Sequence, residues 1–288
     1  MKINIKQFGD IHFNDDFKEE KLDKIKRVIC DSRTDYALFT GDLIHTNDFI
    51  RTNIFKRNLL LRWIESIAKE HGLVMVQGNH DLFSENKKKD GWKCDYDFSF
   101  WKEVASIDGV TLLSGNNSYE DDAVLIKGIN ESYPYYENLL NRENKAELID
   151  MFWESKKYIT STNPDKLNIF LHHSPIFLTD DDIKSYLERY DLVLSGHMHN
   201  GCVLPFMEKI LPEHVGIINP EGKLLPDNTR GTIEISDTTK LIITGGISKI
   251  VKSKPIYKTL NELFPMEVTN IDYNTEDKTS VVRKIRFK

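Results

Sequence analysis

Short apolar segments alternate with longer amphipathic stretches over the first two-thirds of the chain. Six of the apolar segments have the length and the β-branched or aromatic content that predict strands. They are Ile3–Phe8, Tyr36–Thr40, Leu73–Gln77, Val124–Gly128, Leu167–His172 and Leu192–Ser195. Between them, amphipathic periodicity predicts helices at Phe17–Ser32, Arg51–His71 and Leu139–Tyr158. Strands that alternate with helices of this length indicate a layered α/β fold.

The helix predicted at Arg51–His71 carries the clearest apolar stripe. Its apolar positions recur at the spacing that places side chains on one face of a helix. The stripe consists of Phe55, Leu59, Trp63, Ile67 and Ala68. We expect this face to lie in the core.

The pattern changes after Gly196. Residues 200–230 hold four prolines and several glycines and predict a long ordered loop. Four further strands are predicted at Thr232–Ile235, Lys240–Thr244, Val268–Tyr273 and Ser280–Phe287. The last two flank the turn-rich segment Asn274–Thr279 and predict a hairpin. We expect a single domain over residues 1–288, with two sheets packed face to face beneath flanking helices.

Composition and charge narrow the class of protein. The chain has 288 residues, of which 40% are hydrophobic and 29% charged, as in ordinary globular proteins. A formal net charge of -6 speaks against non-specific nucleic-acid binding, which normally requires a basic stripe. Cys30, Cys94 and Cys202 are widely spaced and predict free thiols. The sequence shows neither a signal peptide nor an apolar span, so we expect a cytoplasmic protein and infer no protein partner.

Side chains that bind metals or transfer protons follow five of the predicted strands. Gly9-Asp10-Ile11-His12 follows the first strand, Gly41-Asp42 the second, and Gly78-Asn79-His80-Asp81 the third. His172-His173-Ser174-Pro175 ends the fifth, and Gly196-His197-Met198-His199 follows the sixth. Because ligands of open α/β sheets collect outside the carboxyl ends of the strands, we expect these loops to meet at one place.

The residue types in these motifs suit one kind of site. Carboxylates, imidazoles and a carboxamide, with no thiolate, favour divalent ions such as Mn, Fe, Zn or Co. A lone D-x-H or G-x-H-x-H motif is weak evidence, because a single buried histidine is more often a core residue. Five such motifs in order, each at the end of a strand, are much stronger evidence for a metal site.

The order D-x-H, G-D, G-N-H-D, H-x-P and G-H-x-H between residues 10 and 199 resembles the signature of the calcineurin-like metallophosphoesterases. The resemblance implies a four-layer α/β/β/α sandwich of two mixed sheets flanked by helices. It implies one metal bound by Asp10, His12, Asp42 and His199. It implies a second metal bound by Asp42, Asn79, His173 and His197. His80 would then be the catalytic imidazole, oriented by Asp81.

The reaction expected of such a centre follows from its charge. Two divalent cations about 3.5–4 Å apart acidify a bridging water and clamp both ends of an in-line displacement. The resulting hydroxide would attack phosphorus, and His80 would stabilise or protonate the leaving oxygen. The sequence therefore predicts a hydrolase of phosphoesters, with a phosphodiester favoured. A phosphomonoesterase acting on a small metabolite is the alternative; a non-catalytic scaffold and a nuclease are both disfavoured, the scaffold because no ligand is missing.

Departures from related branches limit the substrate. The motif Gly41-Asp42 lacks the Asp-Arg-Gly that marks Ser/Thr protein phosphatases of this superfamily, and Gln77 stands where they carry an arginine. His80 also differs from the arginine of the lipid A precursor hydrolases, which resemble this family. We expect His172 to point away from the site, since neighbouring residues of a strand face opposite sides. His45 and Asp48 fit a solvated loop better than a substrate contact.

Residues 200–230, which we call the rim loop, are the candidate for substrate specificity. The loop starts directly after Gly196-His197-Met198-His199 and mixes apolar with basic residues. These are Val203, Leu204, Phe206, Met207, Ile210, Leu211, Lys209, Lys223 and Arg230. A lid over substrate, a shallow contact with lipid or a membrane surface, and ordinary packing are the interpretations left open.

Overall fold

Two six-stranded sheets form the centre of the fold. The computed structural model describes residues 1–86, 91–114, 117–141, 145–156, 161–175, 180–220, 222–248 and 262–288. The first sheet contains β1 (Lys2–Phe8), β2 (Tyr36–Phe39), β3 (Leu73–Met75), β6 (Val110–Leu112), β13 (Met266–Asn274) and β14 (Thr279–Phe287), in the order β14-β13-β1-β2-β3-β6. The second contains β7 (Tyr119–Glu120), β8 (Val124–Ile129), β9 (Leu167–His172), β10 (Leu192–Ser195), β11 (Gly231–Glu234) and β12 (Lys240–Ile243), in the order β11-β12-β10-β9-β8-β7. A separate hairpin pairs β4 (Phe83–Asn86) with β5 (Gly91–Cys94).

Helices cover the outer faces of the two sheets. They are α1 (Glu19–Ile29), α2 (Asn47–Thr52), α3 (Ile54–His71), α4 (Phe98–Ala105), α5 (Tyr133–Asn141), α6 (Lys145–Lys156) and α7 (Asp181–Leu187). Helices α1, α3 and α4 share a core with the first sheet, whereas α6 and α7 share a core with the second. A third core lies between the sheets, so the predicted four-layer α/β/β/α order is confirmed. No helix among the described residues is long and apolar enough to cross a membrane.

Alternation along the strands produces these layers. In β9, Ile169 and Leu171 belong to the core between the sheets, and Phe170 belongs to the core on the helical side. Both faces of this parallel strand are therefore buried, which explains its continuous apolar sequence. In β1, the side-chain amide of Gln7 donates to the carbonyl oxygen of Ser195 at 2.9 Å and so links the two sheets.

The predicted C-terminal hairpin is confirmed. β13 and β14 pair antiparallel, and Asn274 lies opposite Thr279 at the turn. β1 pairs antiparallel with β13 and parallel with β2, which makes the first sheet mixed. The tail of the chain is thus built into the same sheet as the first motif-bearing strands.

The helix predicted at Arg51–His71 is interrupted at Asn53. This residue has φ -106° and ψ 81°, and its side chain accepts a hydrogen bond from the backbone N–H of Lys56 at 3.1 Å. α3 therefore begins at Ile54 behind a new N-cap. Phe55 lies in the first turn of α3 and is 68% exposed, so its assignment to the core was wrong. The remaining members of the stripe are buried as predicted.

Other elements also differ from the sequence prediction. The helix predicted at Leu139–Tyr158 is replaced by two helices, α5 and α6, and its last two positions lie outside the described residues. The short strands β4 to β7 and the helices α2, α4 and α7 were not predicted. Strands of two to four residues are too short to show a periodic pattern.

Candidate metal centre

The predicted metal ligands meet where strands of both sheets end. Loops after β1, β2 and β3 of the first sheet contribute four of them, and loops after β9 and β10 of the second sheet contribute three. These seven side chains, which we call the metal centre, are Asp10, His12, Asp42, Asn79, His173, His197 and His199. All of them belong to the buried polar residues of the protein. The fold thus brings together every ligand that the sequence predicts.

The backbone at these ligands is strained. Five of the seven have φ between 47° and 67°, a region that residues other than glycine seldom adopt. They are Asp10, His12, Asp42, His197 and His199. Such conformations persist where surrounding contacts enforce them, and they concentrate at functional sites. Here the loops hold one another, since the N–H of Asp10 donates to the carbonyl oxygen of Gly41 at 2.9 Å.

One cluster contains Asp10, His12 and His199, whose ligand atoms all lie within 4.8 Å of one another. Nε2 of His199 is 4.0 Å from Oδ1 of Asp10. The opposite ring nitrogen, Nδ1, lies 2.6 Å from the carbonyl oxygen of Ser248. A carbonyl partner at Nδ1 fixes the ring so that Nε2 points to the centre, as is usual for metal-binding histidines.

A second cluster contains Asp42, His173 and His197. Nε2 of His173 lies 3.4 Å from Oδ2 of Asp42 and 3.1 Å from Oδ1 of Asn79. The same Asp42 oxygen is 3.3 Å from Nε2 of His12 in the first cluster. Asp42 therefore lies between the two clusters, where a bridging ligand would be placed.

The buried polar atoms of the centre fit bound cations. Among the described residues, Oδ2 of Asp10 and Nδ1 of His12 have no hydrogen-bond partner, and Oδ2 of Asp42 has only the imidazoles of His12 and His173 beside it, at 3.3 and 3.4 Å. Leaving such groups buried and unpaired is costly. A divalent cation between them would satisfy carboxylate and imidazole lone pairs together. The Asp42 side chain needs a glycine beside it, because a Cβ at Gly78 would lie 2.2 Å from Oδ1 of Asp42.

Protonation of the ligands is set by burial and by neighbouring charge. Burial, together with His80, lowers the pKa of His12 well below its ordinary value, which leaves this imidazole neutral. Burial alone would raise the pKa of Asp42, but His173 and the other histidines outweigh it and hold that pKa well below its ordinary value. Burial would lower the pKa of His173, but Asp42 outweighs it and raises this pKa to about 9. A cation at the second cluster must therefore displace a proton.

Asp81 does not orient His80, contrary to the sequence prediction. Its buried carboxylate accepts hydrogen bonds from four backbone N–H groups at 2.8–3.1 Å. The donors are Asp42, Leu43, Ile44 and Gly78. Asp81 thus joins the loop of Asp42 to the loop of Asn79, because sharply turning buried backbone needs acceptors. Nδ1 of His80 lies instead 2.9 Å from the carbonyl oxygen of His45.

His45 lies beside the metal centre and not in a solvated loop, so that expectation was wrong. Its ring stacks on His80 with 5.4 Å between centroids, and the His80 ring is 4.5 Å from that of His12. Burial first, and then His80, lower the pKa of His45 to about 4. The only signal in the sequence is that the loop of Asp42 carries His45 three residues later.

The tyrosine at position 136 is a site residue that the sequence did not indicate. It lies on α5, and its ring centroid is 6.1 Å from those of both His173 and His197. Nothing distinguishes it in sequence from its neighbours Tyr133 and Tyr135. His172, by contrast, faces the helical side as predicted, where its Nε2 lies 3.1 Å from Glu131.

The rim loop is fastened at Glu208 and exposes apolar side chains next to it. The side chain of Asn200 donates to Glu208 at 2.9 Å, and Arg286 of β14 also pairs with Glu208. On either side of Glu208, Phe206 is 66% and Ile210 78% exposed. The loop therefore presents apolar side chains to solvent in the segment that follows His199.

Sequence comparison relates the chain to a known family. The family model described as calcineurin-like phosphoesterase matches residues 3–201. UDP-2,3-diacylglucosamine pyrophosphatase LpxG of Chlamydia muridarum is 26% identical over 247 residues, which cover 76% of this chain and 71% of that protein. The metallophosphoesterase YkuE of Bacillus subtilis is 26% identical over 224 residues, covering 76% of this chain and 66% of that protein.

Other relatives are longer. A metallophosphoesterase of Helicobacter pylori is 25% identical over 248 residues, and the match spans 85% of this chain but 54% of that protein. Among solved structures, a Staphylococcus aureus protein described as a candidate 5′-nucleotidase superposes with a TM-score of 0.50 at 12% identity. That superposition covers 98% of this chain and 53% of the other, and it shows similarity of fold alone.

Proposed function

Because the chain belongs to the calcineurin-like phosphoesterase family, we propose that it hydrolyses phosphodiesters with two divalent cations bound at the metal centre. The observation that carries the proposal is the position of Asp42. Its Oδ2 lies 3.3 Å from His12 in one cluster and 3.4 Å from His173 in the other. A single carboxylate oxygen within reach of two histidine clusters is what a pair of cations with a shared ligand requires.

The ligands divide between the two cations by cluster. Asp10, His12, Asp42 and His199 would hold one, and Asp42, Asn79, His173 and His197 the other. When bound, the cations supply Lewis acidity that lowers the pKa of water and offsets the negative charge of the phosphoryl group. Nitrogen and oxygen ligands of this kind are compatible with Mn, Fe, Zn and Co.

His80 is the residue proposed to deliver a proton to the leaving oxygen. The carbonyl oxygen of His45 accepts a hydrogen bond from Nδ1 of His80, so Nε2 is the ring nitrogen that would carry the transferred proton. The backbone N–H of His80 donates to Oδ1 of Asp42 at 2.8 Å, so the acid is positioned by the shared ligand itself.

A diester is favoured over a monoester by the charge of the site. In the described part of the chain, the ion pairs of Asp10 and Asp42 involve histidines only, without arginine or lysine. A monoester carries up to two negative charges at neutral pH, whereas a diester carries one and needs less compensation. The name of the Chlamydia relative, a pyrophosphatase of UDP-2,3-diacylglucosamine, points in the same direction, because each phosphorus of such a linkage carries two substituents.

The test is a turnover assay on metal-reconstituted protein. Bis-nitrophenyl phosphate and mono-nitrophenyl phosphate are compared with Mn, Fe, Zn and Co, and chelator-treated protein is the control. We expect metal-dependent hydrolysis with the higher kcat/KM for the diester. A higher kcat/KM for the monoester would assign the chain to the phosphatases. Absence of turnover with all four metals would refute the proposal.

A further inference from the structure

The hydroxyl of Tyr136 is a buried donor that the described residues leave unused. Tyr136 is 2% exposed, and no hydrogen-bond partner for its hydroxyl exists among the residues that the structure describes. Buried tyrosine hydroxyls usually find a partner, and a specific exception in a folded protein calls for an explanation. A phenol has an ordinary pKa of about 10, so at neutral pH the group carries its proton and can donate.

The surroundings of Tyr136 indicate which ligand would accept this hydrogen bond. The ring packs against His173 and His197, with centroids 6.1 Å apart in both cases. Both histidines belong to the second cluster, whereas the ring centroid of His80 lies 4.5 Å from that of His12 in the first cluster. Tyr136 and His80 therefore flank the metal centre from different clusters, and an anion bound at the centre would lie near both.

We propose that the Tyr136 hydroxyl donates a hydrogen bond to a non-bridging oxygen of the substrate phosphoryl group, at the His173–His197 side of the centre. The inference rests on the proposed function and adds a phosphate-binding residue to it. Neutral donors fixed in a buried site stabilise an oxyanion strongly, because they need no reorganisation when the anion binds. His80 would act at the leaving oxygen and Tyr136 at an oxygen that stays on phosphorus.

The experiment compares Tyr136→Phe with Tyr135→Phe, a neighbouring buried tyrosine on the same helix turn that packs toward His172. Binding of inorganic phosphate to the metal-loaded proteins is measured by calorimetry, together with metal content and Tm. We expect Tyr136→Phe to weaken phosphate binding about 10- to 100-fold, the range for one hydrogen bond to a charged group. Its metal content should be unchanged and its Tm unchanged or higher, because no partner is lost. Tyr135→Phe should bind phosphate like the parent.

Several results would overturn the inference. Equal phosphate affinity in Tyr136→Phe and the parent would show that the hydroxyl does not contact the anion. Loss of metal in Tyr136→Phe would assign the ring a structural role at His173 and His197. Absence of phosphate binding by the metal-loaded parent would remove the ligand altogether. The proposed function can fail separately. If the parent binds phosphate through Tyr136 but hydrolyses neither nitrophenyl ester, the hydrogen bond from Tyr136 is supported and the proposed hydrolysis is refuted.

Discussion

The metal centre and the rim loop adjoin at His199 but are built in opposite ways. The ligands of the centre are buried, and main-chain hydrogen bonds between loops enforce their left-handed backbone. The rim loop is anchored through Glu208, and on either side of that residue it exposes Phe206 and Ile210. A buried, polar metal centre is therefore followed in the chain by a loop that exposes apolar side chains.

This difference separates two kinds of function. Under the proposed function, the centre would act on the phosphoryl group that all phosphoesters share, because its side chains would bind the two cations. A rim loop that sets substrate specificity would contact the groups attached to the phosphoryl group through its exposed side chains. Substitutions in the centre should therefore affect every substrate, and substitutions in the rim loop should affect some substrates and not others.

The strongest test of the centre is Asp42→Asn. We expect kcat to fall more than about 100-fold on every phosphoester, because loss of even an outer partner of a metal ligand lowers activity about 10- to 100-fold. Metal content, measured by elemental analysis, should fall as well, because both clusters lose a shared carboxylate. The matched control is Asp48→Asn in the first turn of α2, which follows the loop of Asp42, and it should retain metal and turnover. Unchanged turnover in Asp42→Asn would contradict the assigned mechanism.

Asp81→Asn tests whether the rigidity of the centre depends on one buried carboxylate. The amide has one acceptor oxygen in place of two, and its NH₂ group would face backbone donors. We expect the free energy of unfolding to fall by about 1–3 kcal/mol or more for the donors left unpaired. Activity should fall about 10- to 100-fold, as for outer partners of metal ligands. Denaturant unfolding and kcat are the measurements.

A matched control for Asp81 is available on the far side of the fold. The Asp121 carboxylate also accepts two backbone N–H groups, from Ala123 and Val124 at 2.8 and 2.9 Å. Asp121→Asn should lower stability without loss of metal. If both variants lost activity to the same degree, the effect of Asp81 would be one of general stability and not of positioning the ligand loops.

The sequence predicted the centre far better than its surroundings. Asp10, Asp42 and His173 could be assigned because each lies in a motif of the family signature at the carboxyl end of a predicted strand, where ligands of α/β sheets collect. The role of Asp81 could not be predicted, because its partners are backbone N–H groups, and the one at Asp42 lies 39 positions away in the sequence. Tyr136 was missed for the same reason: its contact with His173 arises only when the sheets and α5 pack. Such contacts depend on tertiary geometry and produce no periodic pattern in the sequence.

The proton on His173 gives the centre a pH dependence that the rim loop should not share. In the metal-free protein, burial would lower the pKa of His173, but the negative charge of Asp42 outweighs burial and raises this pKa to about 9. The ion pair stabilises the metal-free fold fully below about pH 6.5, the unfolded value, and this contribution is lost as pH rises through about 9. Because Mn²⁺ must displace this proton, its affinity should rise up to about tenfold per pH unit between pH 7 and 9.

Calorimetry of Mn²⁺ uptake in buffers with different ionisation heats measures this proton directly. Close to one proton should be released per chain at pH 7 from His173, and fewer above pH 9. A variant of the rim loop such as Ile210→Ser should give the same proton release as the parent. Metal affinity independent of pH would show that His173 is already neutral and that Asp42 does not pair with it.

The smallest effect, and the one that decides what the rim loop does, is expected for the double variant Phe206→Ser, Ile210→Ser. Both side chains are exposed, so the change should leave the fold and the kcat on bis-nitrophenyl phosphate intact. If the loop contacts an apolar substituent, KM for a long-chain alkyl phosphodiester should rise about tenfold, since burial of such side chains is worth about 1–2 kcal/mol. Phe98→Ser, which removes a phenylalanine 77% exposed on α4, is the matched control and should change neither substrate. Equal losses of kcat/KM on both substrates would instead identify the loop as a lid needed for turnover itself. No change on either substrate would leave the loop the role of packing. Only a selective loss on the long-chain substrate keeps the division between a metal centre that performs the chemistry and a rim loop that selects the substrate.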